Sequence, residues 1–99
     1  MDLGIKGRSA FVTGAGGAIG AATSKLLAAE GVKVAVADID AARAEQVAAE
    51  LNAAGGIAIG VGVDVIDEAS VLAACNKAAE AFGGIGILVN NAGFQRDMR

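Results

Sequence analysis

Thr13-Gly14-Ala15-Gly16-Gly17-Ala18-Ile19-Gly20 follows an apolar run, Ala10-Phe11-Val12, and leads into a helix-patterned segment that begins near Ala18. Residues this small let backbone approach a diphosphate closely, and the N-terminus of the following helix offers unpaired N–H groups carrying partial positive charge. The spacing departs from G-x-G-x-x-G, because Ile19 stands where the third glycine falls, and reads Thr-Gly-x-x-x-Ala-Ile-Gly. Gly14 is expected to make the tight turn, Ile19 to point into the core, and Gly20 to let the helix pack closely on a sheet. In a chain with 15 glycines the same stretch also reads as a flexible connection, so its surroundings decide.

Those surroundings contain an acid. Val32-Lys33-Val34-Ala35-Val36-Ala37 reads as a second buried strand and ends on Asp38, close to the ~20 residues beyond the turn at which a ribose-binding carboxylate belongs in a βαβ unit. Such a carboxylate accepts hydrogen bonds from both hydroxyls of an adenosine ribose. A 2′-phosphate there brings like charges within a few ångströms, unfavourable by roughly 4 kcal/mol per charge pair at surface-like screening. Asp38 therefore favours NAD over NADP. No Lys or Arg lies between Gly14 and Gly20 or directly after Asp38, and Arg43 is expected a turn into the next helix, so that no basic residue is placed for a 2′-phosphate. The plainer alternative is a solvated acid at a strand end.

The elements that must position these residues follow from the apolar pattern. Four short strands rich in Val or Ile are predicted at about residues 9–13, 33–37, 57–63 and 86–90. Three helices alternate with them, at about residues 18–30, 41–54 and 67–82. The first is expected to present Ile19, Thr23, Leu26 and Leu27 on one face, and the second Ala44, Val47, Ala48 and Leu51. In the third, Cys75 aligns with Leu72, Ala79 and Phe82 and reads as a small core residue. Strict alternation of strand and helix predicts an α/β fold, a doubly wound parallel sheet in the order 3-2-1-4 with a ligand across the carboxyl ends of the strands. Gly14, Asp38, Asp64 and Asn91 then lie along one edge.

Composition narrows the function classes. Ninety-nine residues suit one domain, spanning residues 1–99, and 55% hydrophobic residues argue for a packed core. With no His and a single Cys, a metal site of the usual His/Cys kind is not expected, and neither an internal disulfide nor a Cys–His catalytic pair is available. A net charge of −3 without a basic cluster speaks against nucleic acid or an anionic membrane as partner. The N-terminal residues lack a long apolar core of the signal-peptide kind, and a cytoplasmic location is expected.

Two further stretches follow in order, Val63-Asp64-Val65 and Ile87-Leu88-Val89-Asn90-Asn91-Ala92-Gly93. Taken singly, Asp64 also reads as the acid opening a turn before the helix near Asp67, and Asn90-Asn91-Ala92-Gly93 as an ordinary turn. Together with the glycine turn and Asp38, they make the sequence resemble the short-chain dehydrogenase/reductase family over essentially the whole chain. The resemblance implies a Rossmann-type domain, the N-terminal part of a larger fold that stops before the catalytic half. It implies cofactor contacts from Thr13, Gly14, Gly17, Ala18, Ile19, Gly20, Asp38, Asp64, Val65, Asn91, Ala92 and Gly93, with Asp64 at the adenine amino group and the Asn-Asn-Ala-Gly turn along the cofactor. Ala18 stands at a position that is often glycine in the family.

The activity implied is that of an NAD-dependent oxidoreductase moving hydride between nicotinamide and a carbonyl/alcohol substrate. Gly93-Phe94-Gln95-Arg96-Asp97 is similar to a loop of 3-oxoacyl reductases and 3-hydroxyacid dehydrogenases, pointing to a 3-oxo/3-hydroxyacyl substrate, although an Arg–Asp pair on a loop is more often a solvated ion pair. The family's catalytic Ser, Tyr-x-x-x-Lys and Asn follow the Asn-Asn-Ala-Gly turn. This chain has no Tyr, and Ser9, Ser24 and Ser70 all precede that turn, so no catalytic residue carries over. Two alternatives accompany this reading: a nucleotide-binding module without turnover, and a fragment that associates with copies of itself as a homo-oligomer through the apolar, uncharged fourth strand.

Overall fold

The computed structural model describes residues 5–91. Among them seven elements alternate: β1 (Ser9–Thr13), α1 (Ala18–Ala29), β2 (Lys33–Asp38), α2 (Ala41–Ala53), β3 (Ile57–Gly62), α3 (Glu68–Phe82) and β4 (Ile87–Asn90). The four strands form one parallel sheet in the order β3-β2-β1-β4, the order expected of the α/β pattern. Each element boundary falls within one residue of the position read from the sequence.

The central strands β1 and β2 are buried on both sides, and the alternation of side chains along each strand sorts the core into two layers. Ala10 and Val12 of β1, with Val34 and Val36 of β2, pack against Ala21 of α1 and against Ala44, Val47, Ala48 and Leu51 of α2. Phe11, Ala35, Ala37 and Val61 face the other way and meet Ala74 and Ala78 of α3. The second helix thus presents the face expected of it.

The other two helices are rotated from expectation. Along α1 the buried residues are Gly20, Ala21 and Ser24, with Leu27 and Ala28 packed at the margin, whereas Ile19 is 74% and Leu26 70% exposed. The expectation that Ile19 points into the core is therefore corrected. Its cause is the close approach of α1 to the preceding turn, which only the small residues of the helix allow; the large ones fall on the far side. Along α3 the same preference brings Ala74 and Ala78 inward, leaving Cys75 and Phe82 half-buried at the flank and Leu72 63% exposed.

Close approach also fixes α2 on β3. The residues of β3 on that face are Ala58, Gly60 and Gly62, and a Cβ at Gly60 would stand 2.6 Å from the Cα of Glu45 and 2.7 Å from its nitrogen. Backbone cannot yield as a side chain can. Gly60→Ala is expected to lower the stability of the chain by about 1–3 kcal/mol, the cost of forcing an extra carbon into a packed contact, read as a lower urea midpoint. An unchanged midpoint would show that α2 lifts freely from the sheet.

Candidate functional site

The carboxyl ends of all four strands open on one cavity of about 790 Å³. The turn after β1 supplies Gly14, Gly16 and Gly17, and the start of α1 supplies Ala18, Ile19 and Gly20. The β2–α2 junction adds Asp38, Ile39, Asp40 and Arg43, the segment after β3 adds Val63, Asp64 and Val65, and Asn91 follows β4.

Gly14 takes a left-handed φ of +65°, which glycine adopts without a Cβ penalty. The turn is tied to the sheet by Ala15 N–H, which donates to the Ala37 carbonyl at 3.0 Å, and closed by Gly17 N–H, which donates to Gly14 at 3.2 Å. A Cβ at Gly20 would fall on the Gly14 carbonyl oxygen and on the Cα of Ala15, so α1 begins directly against the turn. Its cap residue is Gly17, and no side chain caps its first-turn N–H groups. The other two helices are capped: Asp40 accepts from Arg43 N–H, and Asp67 accepts from Ala69 and Ser70 N–H. The end of α1 that faces the cavity is thus the one open to an anion from outside the chain.

Asp38 stands beside that helix start, bonded to the turn that precedes it. Its Oδ2 accepts from Gly16 N–H at 2.9 Å and its Oδ1 from Asp40 N–H at 3.0 Å. Asp64 lines the cavity while its Oδ1 accepts from Ile66 N–H at 3.2 Å, so the turn-opening role also read from its sequence position is present. Its own N–H donates to Ser70 Oγ at 2.9 Å. The side-chain Nδ2 of Asn91 is buried beside the cavity with no hydrogen-bond partner.

Thr13 lies beneath the cavity, and no part of it lines the wall. Its hydroxyl donates to Asn90 Oδ1 at 2.9 Å and accepts from Asn91 N–H at 3.1 Å, joining the ends of β1 and β4. Gly14, Gly17, Ala18, Ile19, Gly20, Asp38, Asp64, Val65 and Asn91 are brought together as expected, while Ala92 and Gly93, with the loop to Asp97, lie outside the described residues. Ile19 reaches the wall by being turned outward.

Arg43, the nearest basic residue, was expected a turn into the next helix; it stands in the first turn instead. Asp40 caps α2 immediately after β2, which puts Arg43 in the first turn of the helix, and from there its Nε donates back to the Gly16 carbonyl at 3.1 Å. The signal was in the sequence, as an Asp three residues before an Arg at a helix start. Gly16, Ile39, Asp40 and Val63 were not singled out either; they line the wall as neighbours of residues that were. Among the described residues there is no group of His, Cys, Asp and Glu able to hold a metal ion, and no helix long and apolar enough to cross a membrane.

The family model described as short chain dehydrogenase matches residues 8–99. D-threitol dehydrogenase of Mycolicibacterium smegmatis is 44% identical over 96 residues, which cover 97% of this chain and 37% of that protein. Cis-4-hydroxycyclohexanecarboxylate dehydrogenase of Sinomonas cyclohexanicum is 49% identical over 86 residues, 87% of this chain and 34% of the relative. The crystal structure of hydroxysteroid dehydrogenase from Escherichia coli superposes with a TM-score of 0.87 at 37% identity, covering 90% of this chain and 38% of that one. The chain spans somewhat more than a third of the length of these proteins.

The Thr13 hydroxyl is a testable part of this geometry, because valine has its shape without its oxygen. Thr13→Val removes the acceptor of Asn91 N–H and is expected to cost about 1–3 kcal/mol of stability, with faster amide exchange at Asn91. Wild-type stability together with wild-type exchange would mean that the β1–β4 seam does not depend on this group.

Proposed function

The chain belongs to the short chain dehydrogenase family, and on that footing we propose that it is the cofactor-binding half of an NAD-dependent oxidoreductase acting on a carbonyl/alcohol pair. The observation that carries the proposal is the uncapped start of α1 opening into the cavity, with the Asp38 carboxylate on the same wall. A diphosphate suits the bare N–H groups of α1 over Gly14, Gly16 and Gly17, where a glycine backbone leaves room for it. Asp38 suits the adenosine ribose: each carboxylate oxygen has accepting capacity beyond the one backbone N–H it already takes. Asp64 and Val65 are proposed at the adenine, and Asn91, Ala92 and Gly93 along the nicotinamide half. When bound, the dinucleotide supplies or accepts the hydride.

NAD is favoured over NADP by the charge of Asp38, and the Nε of Arg43 is engaged on the Gly16 carbonyl. For the substrate, the printed names of the relatives, D-threitol and cis-4-hydroxycyclohexanecarboxylate dehydrogenases, support a secondary alcohol on a small polyol or ring. The 3-oxo/3-hydroxyacyl reading rests on residues 93–97, outside the described residues. A cytoplasmic location goes with a dependence on the intracellular dinucleotide pool.

Residues 1–99 hold no Tyr for the family's acid–base position, and general acid–base help is worth ~10²–10⁴-fold. By themselves they are therefore proposed to bind cofactor without turnover. A specific observation also favours association between copies. Among the described residues β4 is paired only with β1, and Leu88 on it is 69% exposed. A free, uncharged edge of this kind recruits a like strand.

Calorimetric titration is expected to show NADH binding at least about tenfold tighter than NADPH, a difference of about 1.4 kcal/mol. Asp38→Asn, which removes the charge and keeps an acceptor oxygen, is expected to narrow that ratio; equal or tighter NADPH binding by the unaltered chain would sink the assignment. In sedimentation over a range of concentrations, residues 1–99 are expected to associate and Leu88→Lys to return them to monomer. A monomer throughout would show that β4 closes its own edge.

A further inference from the structure

Arg43 belongs to neither the glycine motif nor the acid that follows it, yet it is fastened to both. Its Nε donates to the Gly16 carbonyl at 3.1 Å, while Gly16 N–H donates to Asp38 Oδ2 at 2.9 Å. One residue of the turn is thereby gripped on both of its peptide groups. The other oxygen of Asp38 accepts from Asp40 N–H at 3.0 Å, and Asp40 Oδ1 accepts from Arg43 N–H at 3.1 Å, so the hydrogen bonds run in a closed ring from Gly16 through Asp38 and Asp40 to Arg43 and back. The aliphatic stem of Arg43 lies over Gly16 as well. A Cβ on Gly16 would be 2.7 Å from Arg43 Cγ and 2.9 Å from Asp38 Oδ2.

We propose that Arg43 is a positioning residue for the cofactor: it locks the glycine turn to the β2–α2 junction, so that the N–H groups at the start of α1 are aimed at the diphosphate before it arrives. The proposal rests on the cofactor reading above and adds a residue to it. The physical basis is preorganisation, since a turn already held in its binding geometry loses no backbone freedom when the ligand lands. What Arg43 contributes is a donor at the Nε position, not its charge. Arg43 also lines the cavity, and the rival role for its guanidinium is direct contact with a 2′-phosphate.

Glutamine separates the two roles, because its Nε2 stands where arginine's Nε does, at the same number of bonds from Cα and without the charge. Methionine has a stem of matching length and no donor. Arg43→Met is expected to weaken NADH and NADPH by the same factor, roughly five- to tenfold, the scale of one lost hydrogen bond. It is also expected to speed amide exchange at Gly16 in the ligand-free chain, and Arg43→Gln to restore both properties. If Arg43→Gln weakens NADPH alone, or Arg43→Met leaves NADH affinity and Gly16 exchange unchanged, the positioning role is overturned. Faster Gly16 exchange in Arg43→Met, with neither cofactor bound by any form of the chain, supports the lock and removes the cofactor reading instead.

Discussion

The close contact of α1 with the turn that precedes it is the constraint on which the rest of the molecule depends. Gly20 lies so near the Gly14 carbonyl that no side chain fits between them, and Gly14 must turn left-handed to start the approach. From that one contact follow the small residues on the inner side of the helix, Gly20, Ala21 and Ser24, and the outward placement of Ile19 and Leu26. It also aims the uncapped helix start at the cavity. Were α1 held off the sheet by a larger residue, its first-turn N–H groups would lie above the cavity mouth.

Asp38 then joins what α1 positions to the second half of the sheet. Its carboxylate is bonded to the turn on one oxygen and to the start of α2 on the other, and its carbonyl accepts from Val63 N–H at 2.9 Å at the end of β3. Three loops from three crossovers meet at one residue. A carboxylate held by two backbone donors is fixed at the cavity wall, and variants that remove its side chain altogether unfasten the glycine turn from the start of α2.

The strands, their order and the edge on which the site forms were legible because they depend on period and on glycine and acid positions, which are local signals. The rotation of α1 and α3 was not. Apolarity placed Ile19, Leu26 and Leu72 inside, but the sheet accepts whichever face comes closest, and in an alanine- and glycine-rich chain that is the face of small residues, such as Ala74 and Ala78. Arg43 was named as the nearest basic residue, but its bond to the glycine turn was not foreseen, because the Nε–Gly16 contact joins residues 27 positions apart. Thr13 belongs to the glycine motif by sequence, while its hydroxyl acts across the sheet on Asn90 and Asn91, a contact between residues 77 and 78 positions apart that no window of the sequence contains.

Asn91 shows what that seam is for. Its backbone is held by Thr13, and its side-chain Nδ2 is left buried without a partner at the edge of the cavity. A buried donor in that state costs about 1–3 kcal/mol, and the Thr13 hydroxyl is what keeps the residue from turning away to relieve it. The sheet order places this donor at the β1–β4 seam, on the side of the turn away from Asp38. A ligand that spanned from one to the other would satisfy both, and a shorter one that reached Asp38 alone would leave the amide unpaired.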